Sequence, residues 1–187
     1  NDKVGRYMAK RKVIKKAPLN KRIFAFLIDW YFGWVFAAIP VGWLWNVLTR
    51  EKTINTDILL FEKPYGLLAG VLGILFGIVY YYVIPLKFDG QTLGKKFLSL
   101  KITDENGETL NAKDLAKRQI VGLLLLESPL MLAGNYVTQM ITMYTFDVAG
   151  TVLNWVKVAI LIISCYMVVK KGTAIHDIIS HSMVIEK

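Results

Sequence analysis

Three ionisable residues stand alone inside otherwise apolar blocks of this sequence: Asp29, Glu127 and Lys157. Isolated charges in such a setting are costly and mark ion or proton pathways by default. Two carboxylates at matched depth on different helices can hold a monovalent cation or relay a proton. Burial would raise their pKa values and a neighbouring cation would lower them. The competing reading is structural. Arg22 precedes Asp29 by seven residues, about 20° away around a helix and ~10 Å along it, so the two can lean together. The long stem of Lys157 can reach toward Glu127. Arg118 lies nine residues before Glu127, on the opposite side of an ideal helix, where it would anchor the helix end at phosphate or meet the central loop.

His176-Asp177 near the C-terminus is a further polar pair. No nucleophile motif, H-E-x-x-H or metal spacing accompanies it. The expected role of His176 and Asp177 is therefore to link the tail to the central loop or to Arg22. Two histidines and one cysteine leave no zinc framework and no intrachain disulfide. The sequence thus predicts no catalytic residue, no metal and no cofactor, and hence a protein that is not an enzyme. Gly90 to Lys96 (G-Q-T-L-G-K-K) lacks the spacing of a phosphate loop and reads as a turn with basic residues at the lipid surface.

The elements that carry these residues follow from composition. The chain has 187 residues, 55% of them apolar, with a mean hydropathy of +0.43. A spanning helix needs about 20 mostly apolar residues, and four blocks qualify: about 23–48, 65–86, 119–136 and 151–169. Backbone in lipid must satisfy its own hydrogen bonds, so the blocks are expected as helices. The first is far longer than the roughly 7–15 apolar residues of a signal peptide. Residues 1–22 carry nine Lys/Arg, the loop 87–118 seven and the tail from Lys170 three. The loop between the first two blocks carries only Arg50, Lys52 and Lys63, and the loop between the last two none. The positive-inside rule then puts both termini and the central loop in the cytoplasm. That topology accounts for the net charge of +9 without nucleic acid.

Smaller signals refine the picture. Leu98 to Thr103 alternates with period two, Asp104-Glu105-Asn106-Gly107 is a turn, and Glu108 to Leu110 can return as a second strand. A third strand over Ser182 to Ile185 would support this hairpin. Asn111 is expected to cap a short helix leading into the third block. Gly66, Gly70, Gly73 and Gly77 share one face of the second block, a small-residue seam for packing inside the bundle or for a homodimer. Asn154, Lys157, Leu161 and Ser164 form a partly polar face on the fourth. Pro40 and Pro129 are expected to kink their helices. Trp43, Trp45 and Tyr80 to Tyr82 read as interfacial aromatics. Residues 1–21 read either as a solvated basic tail or as a segment lying on anionic lipid.

Arg22-x-x-Ala25-x-x-x-Asp29, then Gly90-Gln91-Thr92-Leu93-Gly94-Lys95-Lys96, then His176-Asp177 resemble, in order and spacing, the RDD family of bacterial membrane proteins. That family is named for one arginine and two aspartates. Arg22 and Asp29 match the first two and Asp177 the third, over roughly residues 18–186. The resemblance implies a bacterial plasma-membrane protein, with transport or Na⁺/H⁺ exchange among the activities ascribed to members. Many members have three spans, where four are expected here. The expectation is therefore an all-α membrane protein of one domain, 1–187. It is a four-helix bundle with a small cytoplasmic β-hairpin and both termini cytoplasmic. Its function is expected to be transport, as cation/proton exchange through Asp29 and Glu127, or else a non-catalytic anchor or regulatory subunit of a membrane complex. Candidate partners are anionic lipid, a monovalent cation or proton, another copy of the chain, or a partner complex.

Overall fold

Long apolar runs free of internal breakers form long helices. A computed structural model describes residues 14–187 of the chain; most of the basic segment 1–21 lies outside them. Helix α1 spans Leu19–Thr49 and runs through Pro40, ending where Arg50 turns left-handed. Helix α2 spans Lys63–Lys87, with Pro64 in its first turn, where a missing N–H costs nothing. It widens into a π turn at Val79–Val83. These two helices, and a third over Asp147–Lys171, are long and apolar enough to cross a membrane.

The third apolar block differs from the unbroken span expected over 119–136. Asn111 does cap a short helix, α3, over Ala112–Ala116, its side chain accepting from the Asp114 N–H at 2.9 Å. The chain then continues as a π-helix over Lys117–Leu126 and breaks at Glu127. A single 3₁₀ turn, Ser128–Leu130, precedes helix α4 over Leu132–Tyr144. Pro129 explains the break, since it has no N–H to donate and its ring clashes with the preceding turn. Asp147–Lys171 is helix α5, closed by Gly172 at a φ of 64°. A short helix, α6, covers Ile175–Ile179.

The glycine seam of α2 packs inside the chain, against α4. A Cβ on Gly73 would lie 2.3 Å from the Tyr136 ring, and one on Gly77 2.3 Å from the Ala133 Cβ. Gly66 and Gly70 face Met143 and Met140 in the same way. Close approach lets dispersion contacts replace the hydrophobic drive that lipid does not supply. Ala37, Val41, Ala69, Tyr80 and Tyr136 complete this core.

Strand β1, Leu100–Asp104, pairs antiparallel with β2, Ser182–Glu186, placing Ile102 opposite Val184. The sheet is thus closed by the C-terminal segment. Residues 108–110, expected as the second strand, contribute only a bridge from Thr109 to Thr103. The Asp104 carboxylate accepts from the Asn106 and Glu108 N–H groups at 2.9 and 2.8 Å. Beyond that bridge the same edge of β1 is filled by the Gly90–Gln91 stretch, the Ile102 N–H donating to the Gly90 carbonyl at 3.1 Å and Gln91 Nε2 to the Leu100 carbonyl at 2.7 Å.

Candidate functional site

The polar residues gather at one end of the bundle, where α1 begins and α2 and α5 finish. Asp29 lies nearly three turns into α1 and is 4% exposed. Its Oδ1 accepts from the Tyr80 hydroxyl at 2.9 Å and the Gly94 N–H at 2.8 Å. Its Oδ2 accepts from the Thr92 hydroxyl at 2.5 Å and the Lys95 ammonium at 2.9 Å. The Tyr81 hydroxyl donates to the Asp29 carbonyl at 2.9 Å. Three of these donors come from the Gly90–Lys96 stretch, which folds back into the bundle rather than lying at its surface. A short helical turn, Leu93–Phe97, carries Gly94 and Lys95, and Thr92 stands at its N-cap. Gly94 is required there, because a Cβ would sit 2.2 Å from the Ala25 carbonyl oxygen. Tyr80 and Tyr81 are 0% and 2% exposed, so they serve the carboxylate and not the lipid interface. The π turn that holds them rotates both rings inward.

Arg22 does not pair with Asp29. Its Nη2 donates to Asp177 Oδ2 at 2.8 Å and its Nη1 to the Gly172 carbonyl at 2.6 Å. Arg118 reaches the other oxygen of Asp177 at 2.5 Å and Ser182 Oγ at 3.0 Å. The Ala174 N–H donates to Asp177 Oδ2 at 3.0 Å, starting α6. Burial alone would raise the Asp177 pKa. Arg118 foremost, then His176 and Arg22, outweigh it and hold the carboxyl well below the usual range.

Glu127 does not pair with Lys157 either. Its Oε1 accepts from the His176 N–H at 2.9 Å, and its Oε2 lies 2.8 Å from His176 Nδ1. The break at Glu127 turns its side chain toward the tail. Gly122 allows the approach, since a Cβ there would come within 2.5 Å of the His176 Cβ. His176 Nε2 stands 3.4 Å from Asp177 Oδ1, so the ring lies between two carboxylates. Lys157 is 4% exposed and donates to Thr138 Oγ1 at 2.8 Å and the Gly134 carbonyl at 3.2 Å. Among the described residues it meets no carboxylate within 4 Å. Of its expected polar face, Ser164 is buried and Asn154 exposed.

A cavity of about 330 Å³ separates α1, the π-helix and α5. Arg22, Asp29, Glu127 and His176 line it, amid mostly apolar side chains. Sequence reasoning named these four but missed Thr92, Gly94 and Lys95 as partners of Asp29, and Arg118 as a partner of Asp177. The paired glycines of G-Q-T-L-G-K-K were the available signal, because glycine marks close backbone approach.

No group of three or more metal-ligating side chains that could hold an ion occurs among the described residues. No curated protein and no solved structure matches the chain. The family model described as RDD family matches residues 16–181. That match takes in the Asp29 site, Arg22, Arg118 and the His176-Asp177 pair, and the chain belongs to the RDD family.

Proposed function

We propose that this membrane protein is a non-catalytic module that anchors or regulates a partner complex. The observation that carries this reading is the commitment of its carboxylates. Asp29 already accepts four hydrogen bonds, and Asp177 holds two arginines. Carboxylates saturated by fixed donors fasten the extramembrane segments to the bundle and leave little for a travelling ion. The excess of Lys/Arg in residues 1–22, in loop 87–118 and in the tail supports cytoplasmic placement of this end in a multi-pass plasma-membrane protein. A partner complex or a second copy would then meet the sheet β1–β2 there.

Cation/proton exchange is the second reading. It is favoured by the presence of Asp29, Glu127 and His176 in the wall of one cavity. Proteoliposomes holding a pH-sensitive dye, given a Na⁺ or K⁺ gradient, separate the two. The module reading expects no flux above empty liposomes, and Asp29→Asn to lower stability by about 3–5 kcal/mol, since Lys95 is left buried without its counter-charge. Cation-driven pH movement that disappears in a folded Asp29→Asn variant would establish exchange instead.

A further inference from the structure

The cavity between α1, the π-helix and α5 has one polar side chain in its wall that nothing among the described residues satisfies. Gln119 is 1% exposed, and neither its Nε2 nor its Oε1 has a hydrogen-bond partner among the described residues. A buried primary amide with both ends free is rare in folded proteins and asks for a ligand or water. Gln119, Leu123 and Glu127 succeed one another at four-residue spacing along the π-helix, and all three line the cavity.

Three further observations define what would fit. The charged groups around the space balance in number among the described residues: Arg22, Arg118 and Lys95 stand against Asp177, Asp29 and Glu127. Glu127 bonds His176. No net charge remains among these groups to offset a phosphate or an ammonium head group, so the polar end of the ligand is neutral. The rim carries Ile23, Leu130 and Val169, which are 49%, 49% and 66% exposed. Ile23 and Val169 lie on helices long and apolar enough to cross a membrane, where such side chains face acyl chains, so the ligand enters from the bilayer. A volume of about 330 Å³ lies at the small end of ligand sites. It takes one hydrocarbon chain and excludes a two-chain phospholipid.

A primary amide offers a donor and an acceptor side by side. A protonated carboxyl offers an acceptor and a donor at a matching separation, so the two close a pair of hydrogen bonds. An alcohol satisfies only one end well. We propose that the cavity binds a single-chain fatty acid, its protonated carboxyl paired with the Gln119 amide and its chain lying along Leu123, Phe26 and Leu161. This holds whether or not the protein serves a partner complex.

The test uses the full chain in phosphatidylcholine nanodiscs, titrated with radiolabelled palmitic acid. Saturable binding with one site per chain is expected, beyond partition into empty nanodiscs. Gln119→Leu should weaken it roughly tenfold to thirtyfold, the effect of losing two hydrogen bonds. Leu123→Trp, which fills the cavity, should abolish it. Unlabelled hexadecanol should compete at least tenfold less well than unlabelled palmitate. Gln119→Leu removes an unsatisfied buried amide, so its melting temperature without ligand should not fall. Unchanged palmitate affinity in folded Gln119→Leu would overturn the proposal. So would hexadecanol competing as well as palmitate, or uptake no greater than that of empty nanodiscs, as expected if only bilayer phospholipid chains visit the space.

Discussion

Replacing Asp177 by Asn is the sharpest test of how the tail is held. The Asp177 side chain is 1% exposed, and its two oxygens receive Arg22, Arg118 and the Ala174 N–H. Asparagine keeps the shape but loses the charge, and its NH₂ would point at a guanidinium. Two arginines, 11% and 3% exposed, would be left near one another in low dielectric. Breaking a buried pair by removing one partner costs about 3–5 kcal/mol. Arg22 keeps the Gly172 carbonyl and Arg118 keeps Ser182 Oγ, which places the cost inside that range and not above it. For a chain of this size 1 kcal/mol shifts the melting temperature by about 2–4 °C, so a loss on the order of 10 °C is expected. Thermal unfolding in detergent, followed by tryptophan fluorescence, reads it directly. A second variant guards the inference. Asp177→Leu combined with Arg118→Met and Arg22→Met replaces the cluster by apolar volume and should recover much of the loss. A melting temperature for Asp177→Asn within 2 °C of wild type would refute the argument, because the cluster would then be solvated.

Other outcomes follow from the same geometry. Gly77→Ala should destabilise by about 1–3 kcal/mol through overpacking against Ala133, while Gly42→Ala, whose Cβ would meet its nearest neighbour at 3.5 Å, should be nearly silent; melting curves of the two variants compare them within one protein. The stabilisation from Asp177 has a definite pH sign. Its folded pKa lies below the usual range, so the contribution is complete above the unfolded value of about 3.9 and is lost as pH falls through the depressed value. The melting gap between wild type and Asp177→Asn should hold steady from about pH 8 to pH 5 and narrow below about pH 4; a gap that closes already at neutral pH would contradict the assignment.

The membrane class and the three long helices were legible because composition and run length decide them. The glycine face was legible as a packing seam; its alternative, a homodimer, differs only in what the seam meets. The ion pairs were not legible, and the reasons differ. Arg22 and Asp29 do share a face of α1, but seven residues of rise set them ~10 Å apart, and nearer donors from distant segments win. Arg118 was placed opposite Glu127 on an α-helical wheel. In the wider π-helix nine residues make roughly two turns, so both side chains point toward residues 176 and 177. The hairpin was half legible: β1 and the tail strand were both foreseen, but local alternation favours the nearest return segment, whereas Gly90 and Gln91 fill the edge of β1 it would use. Lys157 was assigned a carboxylate on reach alone, whereas the break at Glu127 turns that carboxylate to the tail.

The spacing of Arg22 and Asp29 acquires a different meaning from these contacts. Two turns of α1 separate one anchor from the other, and each holds a different half of the extramembrane cap. Asp29 fixes the Thr92–Lys95 loop, which leads within five residues into β1. Arg22 fixes Gly172 and Asp177, and Asp177 leads within five residues into β2. The sheet then ties the two halves together, and Glu127 adds a third hold through His176. A two-stranded sheet is marginal alone, so its register depends on both anchors being in place. The same two residues of α1 also line the cavity. Whatever occupies that space therefore meets the face of α1 that carries both anchors, and Arg22 and Asp29 are the residues through which that helix joins bundle and cap.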